Sequence, residues 1–330
     1  MNLRNKILIT IMFALGTILW SCDSLIYDNL EDCPQGVYVK FYSMTPCDND
    51  SSFIGEVPSV TVFAFDSNDK LVVSSTEKNV NLSRDYNILM PVSNGSFTFI
   101  GWAGVDDSFS VESFTPGKTT KKDVMLHLNS SNGVAANING KHVWQGESRA
   151  VHLPDPAEFA TFYEYTAINL QEVTNRVNVK LTFSETIQEL FDTSKFFVEV
   201  ASESGVYNID GTMPVKQESL DFPIINTTVF ERDSVIWNYA MMDLKPKQGN
   251  LLKIYYKEEG EEDKIVFFND LVGAILVASE DHPGKINMAC ENEFNIRLDV
   301  KGACENCPDT YFSCDIYVNN WKVHSYSTEL

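Results

Sequence analysis

From Val37 to Val323 the chain is divided into short runs in which β-branched and aromatic residues alternate with polar ones, and turn-forming residues separate the runs. A two-residue period places every second side chain on one face, so each run reads as a strand half-buried against a core. Val37-Tyr38-Val39-Lys40-Phe41 and Ser59 to Phe65 are the first two, and the polar cluster Asp66-Ser67-Asn68-Asp69 turns the chain into Leu71-Val72-Val73. Asn87 to Val92 follows. Asn94-Gly95, which accepts positive φ at little steric cost, then leads into Ser96 to Ala103. Asp123 to Leu128, Ala160 to Leu170 and Arg176 to Phe183 continue the pattern, with no helical apolar stripe among them. Strands recurring between turn signals with almost no helix indicate a β-sandwich.

The pattern restarts near Leu170, where we place a boundary between two domains. Phe196 to Val200, Ser234 to Tyr239, Leu251 to Tyr256, Ile265 to Phe268 and Glu293 to Val300 read as strands of the second domain. A helical turn is expected over Thr186 to Phe191 and a helix over Asp270 to Ala278. Near the end, Asp315-Ile316-Tyr317-Val318 and Trp321-Lys322-Val323-His324 flank Asn319-Asn320, a pair able to hold φ above zero at a turn or bulge. The expected plan is all-β: a signal over 1–21, an acidic tether over 22–35, and β-sandwich domains over 36–168 and 169–330.

The beginning of the chain has a different character. Arg4 and Lys6 precede an uncharged apolar run from Ile7 to Trp20, the layout of a secretory signal. The run is shorter than the ~20 residues that span a bilayer, so it is an export signal and not a permanent anchor. Leu19-Trp20-Ser21-Cys22 resembles a lipobox, in which the peptidase cuts between Ser21 and an acylated Cys22. Each buried methylene of an acyl chain contributes about 0.8 kcal/mol, so two or more chains hold a protein where one is marginal.

The chain carries 25 basic and 46 acidic residues for a net charge of −21, and loss of Arg4 and Lys6 with the signal makes it −23. Such a body repels phosphate backbones, which excludes nucleic acid as a partner. Beyond Cys22 stand Cys33, Cys47, Cys290, Cys304, Cys307 and Cys314, an even number that favours disulfides in an exported protein. The simplest scheme joins Cys33 to Cys47 and forms two bonds among the last four, with three connectivities open. A zinc site using Cys304-x-x-Cys307 with Cys290 and Cys314 is the competing reading.

Taken in order, the lipobox, the tether, Cys33-Pro34-Gln35-Gly36-Val37-Tyr38-Val39, Val60 to Asp66, Phe97 to Gly104, Asn175 to Val179 and Ile316 to Val323 resemble the fimbrial anchor lipoproteins of Bacteroides-type bacteria, the FimB or minor-fimbrium-anchor family. The resemblance implies two tandem transthyretin-like β-sandwich domains. It further implies a palmitate-type lipid at the outer membrane, exposure at the cell surface, and a place at the base of a fimbrium, where the shaft is anchored and its length limited. Shaft subunits of this kind lose their first strand to a protease, which opens a groove for a partner's strand. A subunit that keeps its first strand can only donate. Here no Arg or Lys lies between Cys22 and Val39, so a trypsin-like protease finds no site in the tether. The expected partner is the fimbrial shaft subunit. Residues after Asp315, with Trp321, Val323 and Tyr326 alternating, are the candidate donor edge, the alternative being that they only close the second domain.

Neither a catalytic motif nor a cofactor site is legible. His127, His142, His152, His282 and His324 are isolated, and H-E-x-x-H, G-x-S-x-G and P-loop patterns are absent. A surface lipoprotein that binds glycan is the rival reading. Its one candidate aromatic platform is Trp144, because Trp102, Trp237 and Trp321 fall in strand-like runs expected to be core.

Overall fold

The computed structural model describes residues 33–281, 286–301 and 313–327. The signal, Ser21, Cys22, His282, Cys304 and Cys307 lie outside the described residues.

In the first half the chain forms β1 (Gln35–Tyr42), β2 (Gly55–Asp66), β3 (Leu71–Leu82), β4 (Asn87–Met90), β5 (Gly95–Ala103), β6 (Phe109–Val111) and β7 (Val124–Leu128). Two short strands, β8 (Ser130–Ser131) and β9 (Val134–Ala135), precede β10 (Trp144–Glu147), β11 (Val151–Leu153), a one-turn helix α1 (Pro156–Phe159), β12 (Phe162–Asn169) and β13 (Gln171–Glu172). A three-stranded sheet ordered β12-β1-β4 faces a larger one ordered β13-β10-β5-β2-β3, with β11 beside β5. Val37, Val39 and Phe41 from β1 meet Val60, Val62, Phe97, Phe99 and Ile168 in the core between them.

The run from Val62 to Phe65 departs from the half-buried expectation, because both of its faces are covered. Val62 and Ala64 point into the first core, while Phe63 and Phe65 join a second cluster with Trp102, Leu126 and Tyr207. A strand enclosed on both sides needs apolar residues at consecutive positions, and Val62-Phe63-Ala64-Phe65 supplies them.

The second half contains β14 (Thr174–Phe183), α2 (Glu185–Leu190), β15 (Phe196–Ser202), β16 (Val206–Asn208), β17 (Leu220–Asp221), β18 (Asn226–Phe230) and β19 (Ser234–Met242). It continues through β20 (Leu251–Tyr256), β21 (Lys264–Asp270), α3 (Leu271–Asp281), β22 (Glu293–Lys301), β23 (Ser313–Val318) and β24 (Trp321–Ser327). Both expected helices form, and the Ser184 hydroxyl caps α2 by accepting from the Ile187 amide. One sheet runs β18-β19-β14-β22-β23-β24 and the other β21-β20-β15-β17-β9-β8, so the fold is the expected all-β arrangement of facing sheets.

Strands from either side of residue 169 share sheets. β16 pairs with β7, and Asp221 of β17 pairs with Val134 of β9. Trp102, fully buried, donates its indole N–H to the Ile209 carbonyl at 2.7 Å and packs edge-on to Tyr207. Burying a side chain of this size contributes about 1.5–3 kcal/mol, and the indole bond removes the cost of an unpaired donor. The two halves are therefore joined by core as well as by chain.

Each half repeats one arrangement. β1 has parallel β12 on one side and antiparallel β4 on the other. β14 likewise has parallel β22 and antiparallel β19. Beyond β22 the second half adds the hairpin β23–β24, which has no counterpart beyond β12 in the three-stranded sheet.

Candidate functional site

The first strand is seated in the middle of its sheet. β1 matches β12 residue for residue from Gln35↔Phe162 to Tyr42↔Asn169, and its other edge takes β4 from Val37↔Met90 to Lys40↔Asn87. Val37 and Val39 are wholly enclosed and Phe41 nearly so. Both backbone edges of β1 are occupied and its inward side chains fill the core, so the groove a partner strand would need is filled by the chain itself.

Where β1 ends, the chain is clasped to the crossover between the halves. Asn169 accepts from the Met44 amide at 2.9 Å and donates to the Met44 carbonyl at 2.8 Å, a two-way bond that copies a strand pair. Three residues on, Cys47 is bonded to Cys290, with Cα atoms 5.9 Å apart. This corrects the expected Cys33–Cys47 pairing: proximity in sequence favoured a small local loop, but the fold brings the loop after β1 against the segment after α3. It also removes Cys290 from the proposed zinc quartet. Among the described residues, Cys33 and Cys314 carry no bridge, and no group of three or more His, Cys, Asp or Glu side chains is placed to hold a metal. Burial, helped by the Asp315 charge, pushes the Cys314 thiol up to about 12, leaving it protonated at neutral pH.

The segment after α3 is fastened to the crossover a second time. Asn292 donates to the carbonyls of Glu172 and Thr174 at 3.3 and 3.1 Å. Glu172 accepts from Thr174 at 2.6 Å, interacts with the His142 ring at 2.7 Å, and pairs with Arg176 at 2.9 Å. Burial pushes the Glu172 carboxyl up, but the hydrogen bonds from Arg176, Thr174 and His142, with the Arg176 charge, outweigh it and hold the group below the usual glutamate range. His142 is thus a partner in a structural network. A cleft beside the bridge is lined by polar Gln145, Glu172 and Lys245 and by apolar Val173, Leu244 and Met288.

At the far side of the second half, β24 pairs with β23 and is the last strand of the sheet among the described residues. Asn319 and Asn320 hold φ of 46° and 69°, as expected for this turn. Asn319 also accepts from the Asn295 amide at 2.8 Å and donates to Glu291 at 3.0 Å, pinning the turn to the start of β22. Asp315, almost enclosed, receives Lys301 and Lys322, one from each neighbouring strand. The three candidate edge residues are placed differently. Trp321 is 37% exposed, which corrects its assignment to the core; Val323 packs against the core beside a register shift; Tyr326 pairs through its backbone with Cys314. The shift arises because His324 pairs with Ile316 and Lys322 with Tyr317, which leaves Val323 as an extra residue and breaks strict alternation.

Trp144, the candidate glycan platform, is half-buried. Its ring packs against the first core and stacks on His142 with centroids 5.7 Å apart. Trp102 and Trp237 are buried as expected. The clamp residues Asn169, Asn292 and Glu172 escaped sequence reasoning, because a polar residue between strands looks the same whether it is solvated or buried in a junction.

Residues 30–327 match the family described as fimbrillin-A associated anchor proteins Mfa1 and Mfa2. The minor fimbrium anchoring subunit Mfa2 of Porphyromonas gingivalis is 36% identical, over 100% of this chain and 98% of the relative. The solved structure of the fimbrial anchor protein Mfa2 from the same organism superimposes with a TM-score of 0.79 at 33% identity, over 89% of this chain and 100% of its own. A Bacteroides thetaiotaomicron structure shares the fold at 22% identity with a TM-score of 0.65, over 90% of this chain and 98% of its own.

Proposed function

The chain belongs to the family of fimbrillin-A associated anchor proteins, and from that membership we propose how it holds a fimbrium. It is a structural anchor and assembly protein at the base of a surface fimbrium, associated with the outer membrane, and it is not an enzyme. In our reading Cys22 carries the lipid, 1–21 is the cleaved signal, and the body is two sandwich domains meeting near Leu170.

The observation that carries the mechanism is β1 seated between β12 and β4. Extracting it would expose Val37, Val39 and Phe41, each contributing about 1.5–3 kcal/mol of burial, and would strip backbone partners from both neighbours. With that position filled, the protein has no vacancy for an incoming strand in this sheet. It ends the polymer, which limits the length of the shaft. Its own offer is the β23–β24 hairpin, whose outer edge closes the sheet and whose backbone groups suit strand addition to a shaft subunit.

Deletion of Ser325 to Leu330 tests the donor role. The truncated lipoprotein is expected to fold and reach the membrane while fimbriae are shed into the medium; normal retention would overturn it. Deletion of the whole gene is expected to give shed or overlong fimbriae.

A further inference from the structure

The outer face of the sheet β12-β1-β4 has a composition unlike the rest of this acidic chain. Alternation turns Gln35, Val37, Val39 and Phe41 inward and leaves Gly36, Tyr38, Lys40 and Tyr42 facing out on β1. Beside them stand Tyr163, Tyr165 and Ala167 of β12, and Asn87 and Leu89 of β4. Tyr165 is 61% exposed, Leu89 41% and Tyr163 38%. The Tyr38 ring packs on both tyrosines, with centroids 5.1 Å from Tyr165 and 5.7 Å from Tyr163. In a protein with 46 acidic residues this face holds no carboxylate, and its one charge is the exposed Lys40.

The second half supplies an internal comparison. The corresponding face, built on β14 with the same parallel and antiparallel neighbours, presents Arg176, Asn178, Lys180, Thr182, Ile236, Asn238, Glu293, Asn295, Arg297 and Asp299, and the rings at its margins, Phe230 and Tyr317, are covered by Lys180 and Arg297. Its centre is a hydrogen-bonded array in which Asn178 joins Asn238, Glu293 and Asn295. One geometry therefore carries a centre of charged and amide side chains in one half and a centre of tyrosines in the other.

The aromatic face lies at the end of the body nearest the tether. The chain enters β1 at Gln35, and Tyr163 sits beside Gly36, one residue further on. The stretch from Cys22 to Pro34 reaches at most about 45 Å, so the β1 end of the body stays within that distance of a lipid attached at Cys22. Tyrosine rings favour the headgroup layer, where the ring meets apolar material and the hydroxyl stays wet. A lysine among them can point its ammonium at headgroup phosphates. We infer that the Tyr38, Tyr163, Tyr165 and Leu89 face rests on the lipid headgroup layer and sets the orientation of the anchor on its membrane. This rests on the attachment at Cys22 in the functional reading and goes beyond it, since a lipid tether alone leaves the body free to tumble.

The test is hydroxyl-radical footprinting of the full lipoprotein on phosphatidylethanolamine and phosphatidylglycerol vesicles, against the Cys22→Ser form in solution. Oxidation of Tyr163 and Tyr165 should slow on the order of fivefold on vesicles, while Phe230 and Phe268 in the second half are unchanged. Equal oxidation in both states, with the lipoprotein attached, overturns this inference and leaves the attachment reading standing. Rings already protected in the Cys22→Ser protein would show that the tether or a second copy covers the face, and protection by added polysaccharide without vesicles would show a glycan platform; either overturns it. Failure of the wild-type protein to join vesicles would defeat the attachment reading and this one together.

Discussion

Cys47 and Cys290 are 243 residues apart in sequence and bonded to one another, so the covalent route from the tether to the C-terminal hairpin is much shorter than the chain. It runs from Cys33 through β1 to Cys47, crosses the bridge, and continues through β22 and β23 to β24. The residues between the two cysteines, including most of both sandwiches, lie off this route. If a fimbrium pulls on the hairpin while a lipid holds the amino terminus, tension bypasses most of the body.

Pulling a single molecule between its ends checks this. The oxidised protein should not release the segment between the cysteines, whereas Cys47→Ser should release about 850 Å of extra contour length. Its stability at rest should fall by about 2–4 kcal/mol, seen as a lower thermal midpoint. An unchanged extension in Cys47→Ser would refute the bypass.

Glu172 makes the junction sensitive to acid. Its folded pKa is lowered from 4.5, so its contribution to stability is present above that value and is lost as pH falls through the lower folded value. Glu172→Gln should lower stability at pH 7 and narrow the difference from wild type below pH 4.5, as measured by urea unfolding across pH. A constant difference across that range would show that the carboxylate charge is not what matters.

Gly146 allows β10 to lie against the end of β12. A Cβ built there would come within 2.0 Å of the Asn169 carbonyl oxygen and 2.9 Å of Ile168, and the nearer obstacle is backbone. Gly146→Ala should destabilise by about 1–3 kcal/mol or more in chemical denaturation. Ser148→Ala, nearby but without this clash, should cost less, mainly its bond to the Phe99 amide.

Asn319 holds the terminal hairpin in two ways, and substitution separates them. Asn319→Gly keeps access to positive φ but loses the side-chain bonds to the Asn295 amide and Glu291, leaving the Asn319 N–H bonded to the Asn295 carbonyl; Asn319→Ala loses those side-chain bonds and the ready access to positive φ. Amide exchange in β23 and β24 should rise modestly in the glycine variant and further in the alanine variant, a cost of about 1–3 kcal/mol in all. Fimbrial retention should follow the same order if the hairpin is the donor edge.

Local chemistry was legible because it is written at short range. Alternation marked most long strands, Asn94-Gly95 and Asn319-Asn320 marked turns, and Asp270 to Ala278 marked the helix that forms as Leu271–Asp281. β18 was missed, because Asn226-Thr227-Thr228-Val229-Phe230 is an exposed edge with little apolar alternation to reveal it.

The sequence by itself determined an all-β chain with an export and lipidation signature and a body too acidic for nucleic acid. These follow from period, composition and neighbouring residues, which need no knowledge of distant contacts. Only the tertiary structure decided which cysteine meets Cys47, that Trp321 is exposed, that Val62 to Phe65 is covered on both faces, and that Glu172 is a clamp. The bridge, the double cover over Val62 to Phe65 and the Asn292 bond to the Glu172 carbonyl bring together residues more than a hundred positions apart, and a pairing over that distance is chosen by the packing of whole sheets.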